Sequence, residues 1–126
     1  MVAKKKADWV PERQEIIWID CNPQAGQKMR DRHAFLVLSP RAFNERTSLA
    51  IGLPMTTAAY NATNPFAVVA GVAGGVKSDK TSYLLCHQPK TFDWRVREAA
   101  PHPMGNLTDP RFAEVCGTLN QIVQLG

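Results

Sequence analysis

Two histidines, a cluster of arginines and a pair of adjacent threonines are the side chains of this chain best suited to chemistry. His33 stands beside Arg32 at the end of a charged stretch that also holds Lys28, Arg30 and Asp31; His87 lies between Cys86 and Gln88; Thr56 and Thr57 follow Pro54-Met55. Two imidazoles can divide a proton-transfer task, and a positioned base or acid is worth about 10² to 10⁴-fold in rate. An arginine can grip a phosphate with paired N–H groups. Metal-free cutting of RNA needs that combination: a base for the 2′-hydroxyl, an acid for the departing 5′-oxygen and a cation over the phosphorane charge. The same residues at strand ends also suit structural roles, as satisfied histidines and as threonines that hydrogen-bond nearby backbone. His102, without a charged neighbour or an evident strand around it, reads as a loop residue.

Metal and redox chemistry have little support in the spacing. Cys21, Cys86 and Cys116 are odd in number, widely separated and lack a Cys-x-x-Cys pair, so neither a disulfide framework nor a zinc knuckle is expected. No metal and no cofactor are anticipated, and a reducing cytoplasm is the expected location. Alternation along a fifth strand puts Tyr83, Leu85 and His87 on one face and Leu84 and Cys86 on the other, which argues against a joint Cys86/His87 metal site.

The elements that must position these groups are short strands. Glu15 to Asp20, Ala34 to Ser39, Leu49 to Met55, Phe66 to Ala70 and Tyr83 to His87 are apolar or β-branched runs bounded by Pro, Gly, Asn or Ser. Ser39-Pro40 pairs a capping residue with a first-turn proline, predicting a short helix over 40–45. Asp109-Pro110 repeats that signature before Phe112, Val115, Cys116, Leu119, Ile122 and Val123, whose spacing of three and four predicts a C-terminal helix. Phe112, Val115, Leu119 and Ile122 should lie on its buried face. The Pro- and Gly-rich stretch 97–107 reads as a connecting loop. Trp18, Phe35 and Phe66 are possible base-stacking platforms, although strand aromatics at such spacing more often fill a core. The fold class is therefore α+β, antiparallel strands followed by a packed helix.

A length of 126 residues suits one domain, expected over 13–126 behind a flexible basic tail over 1–12. The net charge of +4 and a pI near 9.2 favour a polyanionic partner. Lys4, Lys5 and Lys6 supply three of the fifteen cations, so that run reads either as a solubilising terminus or as an arm that contacts RNA. No run of eighteen apolar residues occurs, and no membrane partner is expected.

Several stretches together resemble the MazF/PemK family of toxin endoribonucleases. They are Ile16-Ile17-Trp18-Ile19-Asp20 with its Gly26-containing loop, Phe35-Leu36-Val37-Leu38-Ser39-Pro40, Pro54-Met55-Thr56-Thr57, Cys86-His87-Gln88-Pro89 and Phe92-Asp93-Trp94-Arg95-Val96-Arg97. The resemblance runs from about Arg13 to the end of the sequence. Two motifs depart from the family pattern. His33 takes the place of the family's loop arginine, with Arg32 one position earlier, and His87 takes the place of an aspartate thought to act as base. Leu85 stands where some members have a catalytic arginine, and Gln14 where the family usually has glycine. The resemblance implies a strongly curved sheet approaching a small SH3-like barrel. It also implies sequence-specific, metal-independent cleavage of single-stranded messenger RNA, as the toxin of a type II toxin-antitoxin pair. His33, His87, Arg32 and Thr56 become the candidate catalytic residues, and Lys28, Arg30, Thr57, Gln88 and Arg95 the candidate RNA contacts. A homodimer and an acidic, MazE/PemI-like antitoxin are the implied partners. Two other readings stay open: a gyrase-binding relative of the same fold, like the CcdB toxins, and a nucleic-acid-binding module without cleavage.

Overall fold

The computed structural model describes residues 9–21, 32–72 and 80–124. Strand β1, Glu15–Asp20, is apolar on both faces because it lies between two layers of core: Ile16 enters one cluster while Ile17 and Ile19 enter the other. It is followed by β2, Arg32–Val37, helix α1, Arg41–Thr47, and β3, Leu49–Thr56. A 3₁₀ turn at Ala59–Thr63 precedes β4, Ala67–Val72, β5, Thr81–Leu85, β6, Lys90–Asp93, β7, Ala100–Asn106, and helix α2, Asp109–Val123. All pairings are antiparallel, in the order β4-β5-β3-β2-β1-β7. On the edge of β3 away from β2, the first half pairs with β6 through Ala50↔Phe92 and Gly52↔Lys90, and the second half with β5 through Met55↔Leu84 and Thr56↔Tyr83.

The sheet curls into a half-open barrel. Its two edges, β4 and β7, share no ladder, yet a side chain built at Gly71 of β4 would meet Met104 of β7 at 3.3 Å. Leu36, Leu53, Val68, Leu84 and Cys86 fill the inside, closed by Phe112 and Val115 of α2. Outside, Ile17, Ile19, Phe35, Val37 and Ala50 pack beneath Val10, Trp94 and Ala99. Asn44 of α1, fully buried, ties this outer layer together. Its amide donates to Pro11 O at 2.8 Å and Ser39 O at 3.0 Å, and its carbonyl accepts from Trp94 Nε1 at 2.9 Å.

Several expectations need correction. The boundary at residue 12 falls inside packed chain, since Val10 and Pro11 are buried; residues 1–8 lie outside the described residues. Pro40, not Ser39, is the cap of α1, and the Ser39 hydroxyl instead donates to Asn44 Oδ1 at 2.6 Å and accepts from Ile51 N–H at 2.9 Å. Thr108 caps α2, with Asp109 and Pro110 in its first turn. The supposed loop after Arg97 contains β7, an edge strand that accepts prolines because one side of its backbone has no sheet partner. On α2 only Phe112 and Val115 are buried; Leu119 is half-buried and Ile122 is exposed. Leu119 and Val123 border an open groove of about 870 Å³ with Phe43 and Ile51. The Gln14 departure has a physical basis. Its φ of 81° is one that glycine adopts freely, and here the strain is offset as Nε2 donates to Leu107 O and Asp109 Oδ1, both at 2.7 Å.

Candidate functional site

His33 and Thr56 lie at the same end of the sheet. Pairing of β2 with β3 runs from Val37↔Gly52 to Phe35↔Pro54, and continuing this register by two residues sets His33 across from Thr56. Strand alternation puts His33, Phe35, Pro54 and Thr56 on the outer face, together with Tyr83 opposite Thr56. His33 lines a cavity of about 220 Å³ with Cys21, Pro54, Lys90 and Phe92. Phe35 forms part of its wall and meets Phe92 edge-on, at 5.3 Å between centroids. The Thr56 hydroxyl accepts the Ala58 N–H at 3.2 Å, which leaves its own proton to donate outward.

Arg32, by alternation, belongs to the opposite face. Its guanidinium lies 5.4 Å from the Trp18 ring, which in turn stacks on His102 at 4.3 Å. The adjacent pair Arg32-His33 therefore straddles the strand instead of pointing at one spot. His102 is no loop residue: it sits on β7, 6% exposed, with Nδ1 accepting the Met104 N–H at 3.0 Å, and burial pushes its pKa down.

His87 follows the end of β5, in the turn leading to β6, on the side of β3 away from β2. It is exposed, 3.3 Å from Gln88 Nε2 and 6.1 Å from the Phe66 ring. The neighbouring Cys86 is fully buried, and its thiol is pushed up to about 11 by burial, then by Glu114 and Cys116. This separation agrees with the expected division of the two residues between faces, although β5 itself ends at Leu85. The positions expected at the aromatic platforms also diverge: Phe35 is core, Trp18 is half-buried between Arg32 and His102, and Phe66 is 42% exposed beside His87.

Thr57 follows Thr56, half-buried at the same sheet end, and Gln88 stays with His87. Arg95 does not join them. It lies over Trp94 at 4.1 Å and donates to Ser48 Oγ, just before β3 begins, whereas Thr56 ends β3. Eight strand residues separate these levels, roughly 25 Å at the usual rise. Lys28 and Arg30 lie outside the described residues. The residues that sequence reasoning missed are Lys90 and Arg97. Lys90 shares the His33 cavity, while Arg97 lies 5.4 Å from the Phe92 ring and donates to Cys21 O at 2.8 Å. Arg97 closes the Phe92-to-Arg97 motif and Lys90 directly follows the Cys86-His87-Gln88-Pro89 motif, but neither position carried a site role there.

A curled antiparallel sheet plugged by a C-terminal helix, with a small cavity at the strand ends lined by His33, Lys90 and apolar side chains, defines an α+β half-barrel. Residues 12–123 match the family described as PemK-like, MazF-like toxin of type II toxin-antitoxin system. The chain is 31% identical to Endoribonuclease PemK of Escherichia coli over 130 residues, covering 97% of this chain and 87% of that one. It is also 31% identical to Endoribonuclease toxin MazF of Escherichia coli strain K12 over 91 residues, 72% of this chain and 76% of that one. A MazE-MazF crystal structure from Deinococcus radiodurans matches with a TM-score of 0.75 and 31% identity, covering 94% of this chain and 100% of that one. A mycobacterial endoribonuclease solved with its cognate antitoxin, at 20% identity and a TM-score of 0.62, shares the fold. This chain belongs to the PemK-like, MazF-like toxin family.

Proposed function

We propose that the protein is an endoribonuclease, the toxin of a type II toxin-antitoxin pair, that cuts single-stranded RNA at a short sequence without a metal ion. The observation that carries the reading is the cavity shared by His33 and Lys90, on the face to which strand alternation also assigns Thr56, within a chain of this family. In the reaction, the 2′-oxygen attacks the phosphorus, a base takes its proton, the bond to the 5′-oxygen breaks, and an acid protonates that oxygen. The products are a 2′,3′-cyclic phosphate and a 5′-hydroxyl. We assign the base and acid roles to His33 and His87, although His87 lies in the turn after β5 and does not line the His33 cavity, and the Thr56 hydroxyl hydrogen-bonds a phosphate oxygen. Arg32, together with Lys28, Arg30, Thr57 and Gln88, holds the RNA backbone.

The partner is a cognate acidic antitoxin, as the MazE-MazF assemblies of related toxins suggest. Its negative charge is attracted to the surface that attracts RNA. A homodimer in the cytoplasm completes the proposal, and Cys21, Cys86 and Cys116, none of them in a disulfide, suit that compartment.

The test is cleavage of a mixed-sequence RNA in EDTA, with end-group analysis of the products. Expected are discrete cuts bearing cyclic phosphates and a bell-shaped pH–rate profile, because one imidazole has to be neutral while the other is protonated. His33→Ala and His87→Ala should each remove one limb while the protein stays folded. Cleavage that stops in EDTA and returns with Mg²⁺ or Zn²⁺ contradicts the mechanism; RNA binding without any cleavage favours a binding module.

A further inference from the structure

The face that carries His33 holds a cation other than the one the sequence suggested. Arg32 is drawn over Trp18 on the opposite face, whereas Lys90, the first residue of β6, lines the same cavity as His33. The pairing of Lys90 with Gly52 makes this possible. A Cβ at position 52 would lie 1.9 Å from Leu36 O and 2.8 Å from the Phe35 ring, so only bare backbone over that ring can stand across from the lysine. Lys90 shares the cavity with Phe35 and Phe92, an apolar floor along which a lysine stem can lie while its ammonium stays solvated. Arg97 brings a second positive charge to the Cys21 end of the cavity, held by the Phe92 ring and the Cys21 carbonyl. No carboxylate is among the described residues that line this space.

We infer that Lys90 is the cation that contacts the scissile phosphate and offsets the phosphorane charge, with Arg97 supporting it from the rim. The inference rests on the endoribonuclease reading and assigns to Lys90 the role that the family's arginine, replaced here by His33, leaves vacant. A lysine serves as a point charge for a phosphate without paired N–H geometry. The apolar floor lowers the local dielectric, which makes that charge count for more as negative charge develops in the transition state.

Two measurements on Lys90→Ala, Lys90→Arg and Arg32→Ala separate this inference from the reading beneath it. The first is single-turnover cleavage of an RNA the native protein cuts. The second is the salt dependence of binding to a mixed-sequence single-stranded RNA. Lys90→Ala should lose about 100-fold or more in cleavage rate and about one unit of salt slope, and Lys90→Arg should recover most of both. Arg32→Ala should lose affinity more than rate. Lys90→Ala cutting within about threefold of native, well short of the loss expected of a transition-state contact, overturns the inference while leaving the nuclease reading intact. A native protein that does not cut RNA overturns that reading, and an unchanged salt slope in Lys90→Ala then removes Lys90 from the RNA surface as well.

Discussion

Burial leaves a sign on two side chains that can be read by titration. The folded-state pKa of His102 is lowered by burial, so the unfolded chain takes up a proton at this residue at a pH where the folded chain does not. Its contribution to stability is full above the ordinary histidine value, about 6.5, and is lost as the pH falls from there toward the folded value. The melting temperature should therefore drop between pH 7 and pH 5. His102→Asn, whose amide oxygen can take the place of Nδ1 as acceptor for Met104 N–H, should melt lower at pH 8 yet decline less on acidification. An unchanged slope would place the acid sensitivity elsewhere. Cys86 gives the complementary case: with its thiol near 11 and the side chain buried, iodoacetamide at pH 8 should label Cys21 and Cys116 in the native protein and Cys86 only after unfolding, as mass spectrometry can establish. At this scale the sequence marked Thr56 and His33 as candidates through their motifs, and strand alternation assigns both to one face. It gave no sign of Lys90, whose cross-strand partner Gly52 lies outside every such motif, and misread His102, whose burial comes with a cross-strand contact to Trp18.

Local pattern predicts elements well where side-chain period decides and poorly where a neighbour decides. β1 and α2 announce themselves, one by a continuous apolar run and the other by spacings of three and four. β7 does not, because its prolines and Gly105, at a φ of 66°, are turn signals that its pairing with β1 overrides. The helical pattern also says nothing about how far along its length a helix is covered. Phe112→Ala should cost about 3 to 5 kcal/mol as a core truncation, since this ring is buried with the Arg13 guanidinium 5.0 Å away. Leu119→Ala should cost less than about 1.5 kcal/mol, because a half-buried side chain gives up only part of its transfer free energy. Equal losses in urea titrations would mean that the second half of α2 is covered in solution. At Gln14, alanine keeps the positive φ and loses two hydrogen bonds, while glycine loses the bonds and relieves the strain. Gln14→Gly should thus be more stable than Gln14→Ala by about 1 kcal/mol.

The whole molecule depends on β3, which pairs with β2, β5 and β6 and separates the two apolar layers. Gly52 is its point of closest approach, and a methyl group there requires the backbone of β2 to move. Gly52→Ala should cost about 3 kcal/mol or more and lower the melting temperature by about 10 °C; a melting curve like that of the native protein would mean that the β2–β3 seam is looser than it stands here. The curl of the sheet was foreseeable only through resemblance to known toxins, because strand pattern specifies which faces are buried but not where a sheet closes.

The two strands that end the main strand order, β4 and β7, are defended. On β7, Pro101 and Pro103 remove N–H donors from one side of the strand, and the His102 ring takes the Met104 N–H on the other, so neither side offers an unbroken row. On β4, a bulge lies between Val69 and Gly71, and the Arg111 side chain donates to Val69 O at 2.9 Å. A foreign strand finds no continuous template at either edge. The protein can therefore persist at high concentration without growing into fibrils through these strands.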